Sequence, residues 1–370
     1  MSGLFKLRQN YDTVIPTVGA ILSITGLVMI LSSSQFAAAQ NFGNAYYFFA
    51  RQLFSWVIGV IAFFYFLKVP IERLYNQRST YLIVTIILLI SVLIFGPRIA
   101  SVHRWIDVGF FRFQPAEFAK LFMIIYFSGW FAVKGKDIST ISSGLTPFLL
   151  VMAIVGFLII KEPDMGTMIV ILTIGMVLYF VANADLLHYF GVVVLGLVCL
   201  LILVYLAPYR VERLKNYFEG QNGTQDLLGS GYQNYQAQIA VGSGGLWGVG
   251  FGQGTSKQHY LPESHTDSIF AVIAEELGFI RTAAIFSMYF IIAWRGFLIA
   301  KFANSKFVQY LAVGITTALF AQVLINVGGI LHIIPLTGVP LPLISYGGSS
   351  LIITMGMLGL LTNISREIKK

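Results

Sequence analysis

Residues 242–278 read GSGGLWGVGFGQGTSKQHYLPESHTDSIFAVIAEELG. A glycine-rich loop studded with Leu246, Trp247, Val249 and Phe251 leads on to Asp267, and an apolar helical run begins at once. The sequence on either side is mostly apolar. A long polar stretch set between such runs either projects from a bilayer or lines a cavity in one, and it usually carries the function of an integral membrane protein. The glycines alone say little. No Gly-Lys-Ser/Thr closes the stretch, so it is not a Walker-type phosphate loop. No strand precedes it, which excludes a dinucleotide-binding turn. Glycines separated by Leu, Trp, Val and Phe suit close backbone packing or a loop lying on lipid.

Outward from this stretch, the 370 residues are 57% hydrophobic and 11% charged, with a mean hydropathy of +0.79. A soluble domain cannot hide that much apolar surface. Runs of about 20 residues, long enough to cross a bilayer, fall at 13–32, 47–68, 80–97, 115–133, 145–160, 166–183, 187–207, 268–294, 307–331 and 349–364. No alternating pattern suggests barrel strands, so the expected fold is an all-α polytopic bundle of about ten transmembrane helices. It forms one membrane domain over 1–370, with a large extracytoplasmic loop, 208–267, between spans seven and eight. The run from Thr13 to Leu31 is too long for a signal-peptide core, so Ala37-Ala38-Ala39-Gln40 is not read as a cleavage site. Cys199, the single cysteine, lies in an apolar run and supports neither a disulfide nor a thiolate metal site.

The net charge of +8 reflects topology rather than nucleic-acid binding. With the N-terminus in the cytoplasm, the short inner segments hold Lys6 and Arg8; Lys68, Arg73 and Arg78; Lys134 and Lys136; Arg295, Lys301 and Lys306; and Arg366, Lys369 and Lys370. Ten spans return the C-terminus to the same side. The outer face still keeps Arg98, Arg104, Arg112, Lys161, Arg210, Arg213, Lys215 and Lys257, which points to an anionic ligand. The segment 332–348, HIIPLTGVPLPLISYGG, mixes apolar residues with Pro and Gly, as a re-entrant or interfacial loop does, and such backbone is tolerated only against protein or a wet cavity.

Polar residues inside the spans are costly. Glu117 and Lys120, at i and i+3, share a helix face and read either as a functional pair or as a structural ion pair. Glu275, Glu276 and Arg281 read as packing or cavity-lining groups, with a Glu276–Arg281 pair within reach. Gln322 and Asn326 read as glue between helices. His332 reads as an interfacial histidine rather than a metal ligand.

RWIDVGFFRFQPAEFAK (104–120), KEPDMGT (161–167), GYQNYQAQIAVGSGGLWGVGFGQG (231–254), YLPESHTDSIFAVIAEELGF (260–279) and PLTGVPLPLISYGGSS (335–350) occur in that order. Together they resemble the SEDS family (shape, elongation, division and sporulation) of FtsW/RodA peptidoglycan polymerases, over essentially the whole chain. SKQHYLPESHTD and the closing NISRE look more like the division-type FtsW branch. The N-terminal region before the first span is shorter than in many FtsW-type members, which keeps the RodA branch open. The resemblance implies polymerisation of lipid II into β-1,4-linked glycan on the outer face of the bacterial cytoplasmic membrane, with release of undecaprenyl diphosphate. It implies that Asp267 takes the place of the family's essential outer-loop aspartate, and that Glu117 and Lys120 match its fourth-span pair. It further implies a class B penicillin-binding protein, a transpeptidase, as partner, among other divisome or elongasome membrane proteins.

The residues fit that chemistry. Glycosyl transfer from a lipid diphosphate needs a base for the acceptor hydroxyl and positive charge on the leaving group. Asp267 is the candidate base, although an aspartate just before a helix also reads as an N-cap. Arg104, Lys120, Lys161, Arg210 and Lys257 are the candidates for the diphosphate. No metal motif or certain cofactor is evident, while a divalent cation (Mg or Mn) could share the diphosphate's charge. Two other readings stand beside the enzyme: a lipid II flippase, which needs polar groups along a mid-bilayer path, and a noncatalytic scaffold of a division complex.

Overall fold

The computed structural model describes residues 11–97, 103–109, 111–221 and 231–367. Lys6, Arg8, Arg98, Lys369, Lys370 and the 222–230 part of the long loop lie outside them. The helices are α1 (Val14–Phe42), α2 (Tyr47–Lys68), α3 (Ile71–Asn76), α4 (Arg78–Phe95), α5 (Pro115–Lys134), α6 (Thr146–Lys161), α7 (Met165–Val181), α8 (Leu186–Tyr205), α9 (Pro208–Gln221), α10 (Tyr232–Ser243), α11 (Ile269–Lys301), α12 (Lys306–Ile330) and α13 (Gly348–Ile364). Among the described residues nine helices are long and apolar enough to cross a membrane, and α7, apolar but with only 17 residues, makes the tenth. The chain is an all-α, multi-pass membrane protein. A two-stranded antiparallel hairpin, β1 (Ile106–Val108) and β2 (Phe111–Phe113), sets Asp107 opposite Arg112 between α4 and α5.

Helices α5, α12 and α13 form the centre and are mostly buried, whereas α8 buries no residue. The apolar side chains of α8 therefore point mostly away from the bundle, as those of a peripheral span do. At one end of the bundle Asp12 pairs with Arg295, its backbone N–H donates to Ser365 Oγ, and Asn363 donates to the carbonyls of Phe66 and Val69. At the other end Gln52 donates to the carbonyl of Ser345, Tyr346 N–H donates to His265 O, and Gln114 Nε2 donates to Asp164. The expected outer loops thus converge on one face.

The eighth span is not the single run expected at 268–294. Gly278 has φ of 77° and breaks α11 into 269–277 and 279–301. The glycine-rich loop satisfies the backbone groups freed by the break. Val249 and Gly250 N–H donate to the carbonyls of Glu275 and Glu276, and Phe279 N–H donates to Gly245 O at 2.9 Å. A Cβ on Gly278 would sit 2.2 Å from Gly248 N, so only glycine lets the two chains approach this closely. The 332–348 segment packs against protein, as a re-entrant or interfacial loop must. Leu341, Leu343 and Ile344 are buried, Leu343 O and Ile344 rest against Gly26 of α1, and Tyr289 of α11 donates to Pro342 O at 2.6 Å.

Candidate functional site

Asp267 lies at the end of the bundle where the expected outer loops converge, in the turn that leads into α11. It does not cap the helix. Ser268 holds the N-cap position, and no side chain bonds the first turn. The backbone is fixed instead: Asn326 Nδ2 of α12 donates to Asp267 O and to Val339 O, each at 2.8 Å. The carboxylate itself meets Thr266 Oγ, at 3.3 Å, and its own backbone N–H. Loss of water around it, followed by the nearby charge of Glu263, pushes its pKa up to about 6, with Thr266, its own backbone N–H and Arg213 pulling the other way. A carboxylate without a capping role and poised near neutrality has the properties of a general base. Two residues earlier, burial lowers the pKa of His265 and so favours its neutral form.

Below Asp267, the pair found in the fourth run forms a buried bridge. Lys120 Nζ meets Glu117 Oε2 at 2.7 Å, with both side chains nearly inaccessible, and also donates to Gln322 Oε1 at 3.0 Å. Gln322 Nε2 donates in turn to Pro340 O at 3.5 Å. Lys120 and Glu117 therefore support, through α12, the segment whose Gly338 faces the Asp267 carboxylate. Gln322 and Asn326 are glue, as expected, and what they join to α12 is the re-entrant segment and the Asp267 turn.

The turn between α6 and α7 flanks the same segment, since a Cβ on Gly166 would meet Val339 and Thr337 O. Asp164 caps α7 by accepting from Thr167 N–H at 3.1 Å and Thr167 Oγ at 2.9 Å. Arg104 Nε donates to Glu162 O at 2.9 Å, and its guanidinium also bonds Pro163 O. Glu162 is fully buried, and neither carboxyl oxygen has a hydrogen-bond partner. Burial, then the charge of Asp164, pushes its pKa up to about 9, so it is held neutral.

The expected diphosphate ligands do not converge. Lys120 is enclosed in the bundle, and Arg104 bonds the α6–α7 turn. Lys257 is buried against Glu276, with Nζ 2.6 Å from Oε1, and is not an open cation. The reason is local: the glycine loop folds back onto the C-terminal end of 269–277, where two carboxylates need partners. Arg281, within reach of Glu276 by sequence, donates to Trp247 O instead. Lys161 is exposed, lying 5.4 Å from the Phe157 ring, and Arg210 Nη1 donates to Leu203 O at 2.8 Å.

Three other arginines act on this region, Arg213 on Asp267 itself and Arg51 and Arg112 on Tyr346. Arg213 of α9 is close enough to act on Asp267 electrostatically and donates to Leu336 O at 3.4 Å. Tyr217, one turn on, donates to Ile333 O at 2.8 Å and stacks on His332, so α9 lies across the start of the re-entrant segment. Arg51 and Arg112 both act on Tyr346, whose ring lies 5.6 Å from that of His265. No sequence motif marked Arg51 as part of the site. The only signal is an arginine one turn inside a span. Among the described residues no group of three His, Cys, Asp or Glu side chains could hold a metal ion.

A broken helix wrapped by a glycine loop, a segment rich in Pro and Gly and the uncapped Asp267 carboxylate together define a polytopic membrane protein with a polar site at one end of its bundle. The chain belongs to the FtsW/RodA/SpoVE family of cell cycle proteins, whose profile matches residues 12–370. It is 38% identical to Stage V sporulation protein E of Bacillus subtilis (strain 168), over 97% of this chain and 98% of that protein. It is 35% identical to the "Probable peptidoglycan glycosyltransferase FtsW" of Trichlorobacter lovleyi, over 99% of this chain and 95% of that one. Among solved structures, a chain from "Structural coordination of polymerization and crosslinking by a peptidoglycan synthase complex" superposes with a TM-score of 0.77 at 27% identity, covering 97% of this chain and 98% of that one. The rod shape determining protein RodA of Thermus thermophilus superposes with a TM-score of 0.70 at 25% identity, covering 99% of each chain.

Proposed function

We propose that this protein is a peptidoglycan glycosyltransferase that polymerises lipid II on the outer face of the bacterial cytoplasmic membrane, with both termini in the cytoplasm. The observation that carries the reading is the Asp267 carboxylate, which is free of capping, anchored through its backbone and near neutral in pKa. Asp267 takes the proton of the acceptor's sugar hydroxyl as that oxygen attacks the anomeric carbon of the donor. The glycosidic bond forms as the bond to undecaprenyl diphosphate breaks. Attack opposite an α-linked leaving group gives the β-1,4 product, so one base and a stabilised diphosphate suffice. Arg213, Lys161, Arg51 and Arg112 are the cations on this face that can meet the diphosphate. Lys120, Arg104 and Lys257 hold the frame. Mg is commonly held by one or two carboxylates together with substrate phosphates. Glu263, exposed beside Asp267, is the carboxylate that such an ion, Mg or Mn, would meet while neutralising the leaving group.

The partner is a class B penicillin-binding protein that crosslinks the strand. Supporting this is the structural neighbour, a complex coordinating polymerization and crosslinking. Division or sporulation is favoured over elongation by the names of the relatives that match at 32–38% identity. A flippase would need open polar groups along its path, whereas Glu117, Lys120 and Gln322 bond one another and Glu276 bonds Lys257. The test is purified protein mixed with fluorescent lipid II, with and without the transpeptidase. Glycan ladders should appear in the presence of the partner, and their absence with folded complex would reject the reading.

A further inference from the structure

Glu275 and Glu276 end the first half of α11, and the chemistry above uses neither. They are 2% and 0% exposed. Carboxylates here are unfavourable on two counts: they oppose the helix dipole at its C-terminal end, and burial strips their water. Their partners offset this. Glu275 accepts from the N–H and hydroxyl groups of Thr255 and Ser256. Glu276 accepts from Lys257 Nζ at 2.6 Å, Ser32 Oγ at 2.9 Å and Gly252 N–H at 3.0 Å. Lys257 Nζ donates as well to Ser32 Oγ and to Gly252 O, both at 2.8 Å. Farther along, Ser264 Oγ donates to Ser33 O at 3.2 Å, and the chain then reaches Asp267. An apolar clamp would hold a loop at less cost, whereas directional bonds to a neighbouring helix fix its register.

We propose that the Lys257–Glu276 pair, locked to Ser32 of α1, is a positioning device for Asp267. It ties the base-bearing loop to the C-terminal half of α1 and so sets where the carboxylate stands over the substrate. This rests on reading Asp267 as the base.

The test uses the full chain with its transpeptidase partner and fluorescent lipid II. Glu276→Gln, Lys257→Met and the double variant are compared with Ser32→Ala, which removes only a shared hydroxyl and should fold normally. Asp267→Asn runs in parallel. Expected for each folded positioning variant is a kcat about 10- to 100-fold lower, the scale of a misplaced catalytic group, with KM nearly unchanged. The acid limb of the pH–rate profile should also move from about 6 toward 3.8 as the loop exposes Asp267 to water. The charged groups facing Asp267, namely Glu263 and Arg213, remain in place in all of these variants. A purely structural clamp would lower folded yield without moving the limb. If folded Ser32→Ala and Lys257→Met keep the wild-type kcat and limb while Asp267→Asn is inactive, the positioning claim is overturned. If Asp267→Asn is itself active, it is the assignment of the base that fails.

Discussion

Replacing Lys120 by Met separates support of the site from support of the fold. The substitution keeps the length of the side chain and removes the ammonium that lies 2.7 Å from Glu117 Oε2. Glu117 would then be a carboxylate only 2% exposed and without its counter-ion. Breaking a buried pair in this way costs on the order of 3–5 kcal/mol. Adding Glu117→Leu removes the stranded charge, and apolar replacement of a buried pair is near neutral or better. The double variant still leaves Gln322 Oε1 without its donor, a deficit of about 1–3 kcal/mol. Thermal inactivation in detergent should therefore rank wild type above the double variant and the double variant above Lys120→Met. Polymerisation should not follow that order. Both variants lose the Lys120–Gln322–Pro340 chain behind Gly338 and Asp267, so both should turn over about 10- to 100-fold more slowly per folded molecule. A double variant as fast as wild type would show that the pair serves the fold alone. Wild-type stability in Lys120→Met would refute the buried-charge argument itself.

Glu162→Gln should stabilise the protein, increasingly so with pH. A carboxyl raised from 4.5 to about 9 binds its proton more tightly in the fold than in the unfolded chain, so its cost is absent below pH 4.5, grows with pH and is complete above about 9. At pH 7 the gain is on the order of 3 kcal/mol at most, and a gap between Glu162→Gln and wild type that is independent of pH would contradict a neutral Glu162. Gly278→Ala should abolish folded yield, because its Cβ would meet Gly248 N at 2.2 Å and its φ is 77°, while Gly191→Ala on α8, with nothing within 4 Å, should express normally. Equal yields would refute the close approach. In a Cys199→Ser background, cysteines at Asn44 and Lys136 should label from opposite sides of spheroplast membranes, and labelling of both by an impermeant reagent would overturn the topology.

The spans were legible because hydropathy is local: each run that reads as about 20 apolar residues became a helix. The break in α11 was not, because Glu275-Glu276-Leu277-Gly278 sits inside an otherwise apolar run and its interruption depends on residues 245–250, far back in the chain. The re-entrant segment was readable from its prolines and glycines. Asp267 stood out as a carboxylate beside a helix, but its helix-cap reading failed because Ser268 takes that position. Charge sign and membrane side made Lys257 a candidate for the diphosphate. Its actual partners, Glu276 and Ser32, lie 19 and 225 residues away, and no local pattern encodes such a pairing. Arg51 and Arg213 reach the site by convergence of α2 and α9 on one face, which a linear reading does not reveal.

The most direct test of the account is polymerisation by Asp267→Asn in complex with the transpeptidase, measured against wild type across pH 4.5 to 8. Because Asp267 caps nothing and is anchored through its carbonyl, the variant should fold. A base must be ionised to act, so the wild-type rate should fall as pH drops through about 6. The variant, unable to take the acceptor's proton, should be about 10²- to 10⁴-fold slower. Folded Asp267→Asn complex that makes glycan at the wild-type rate would contradict the account.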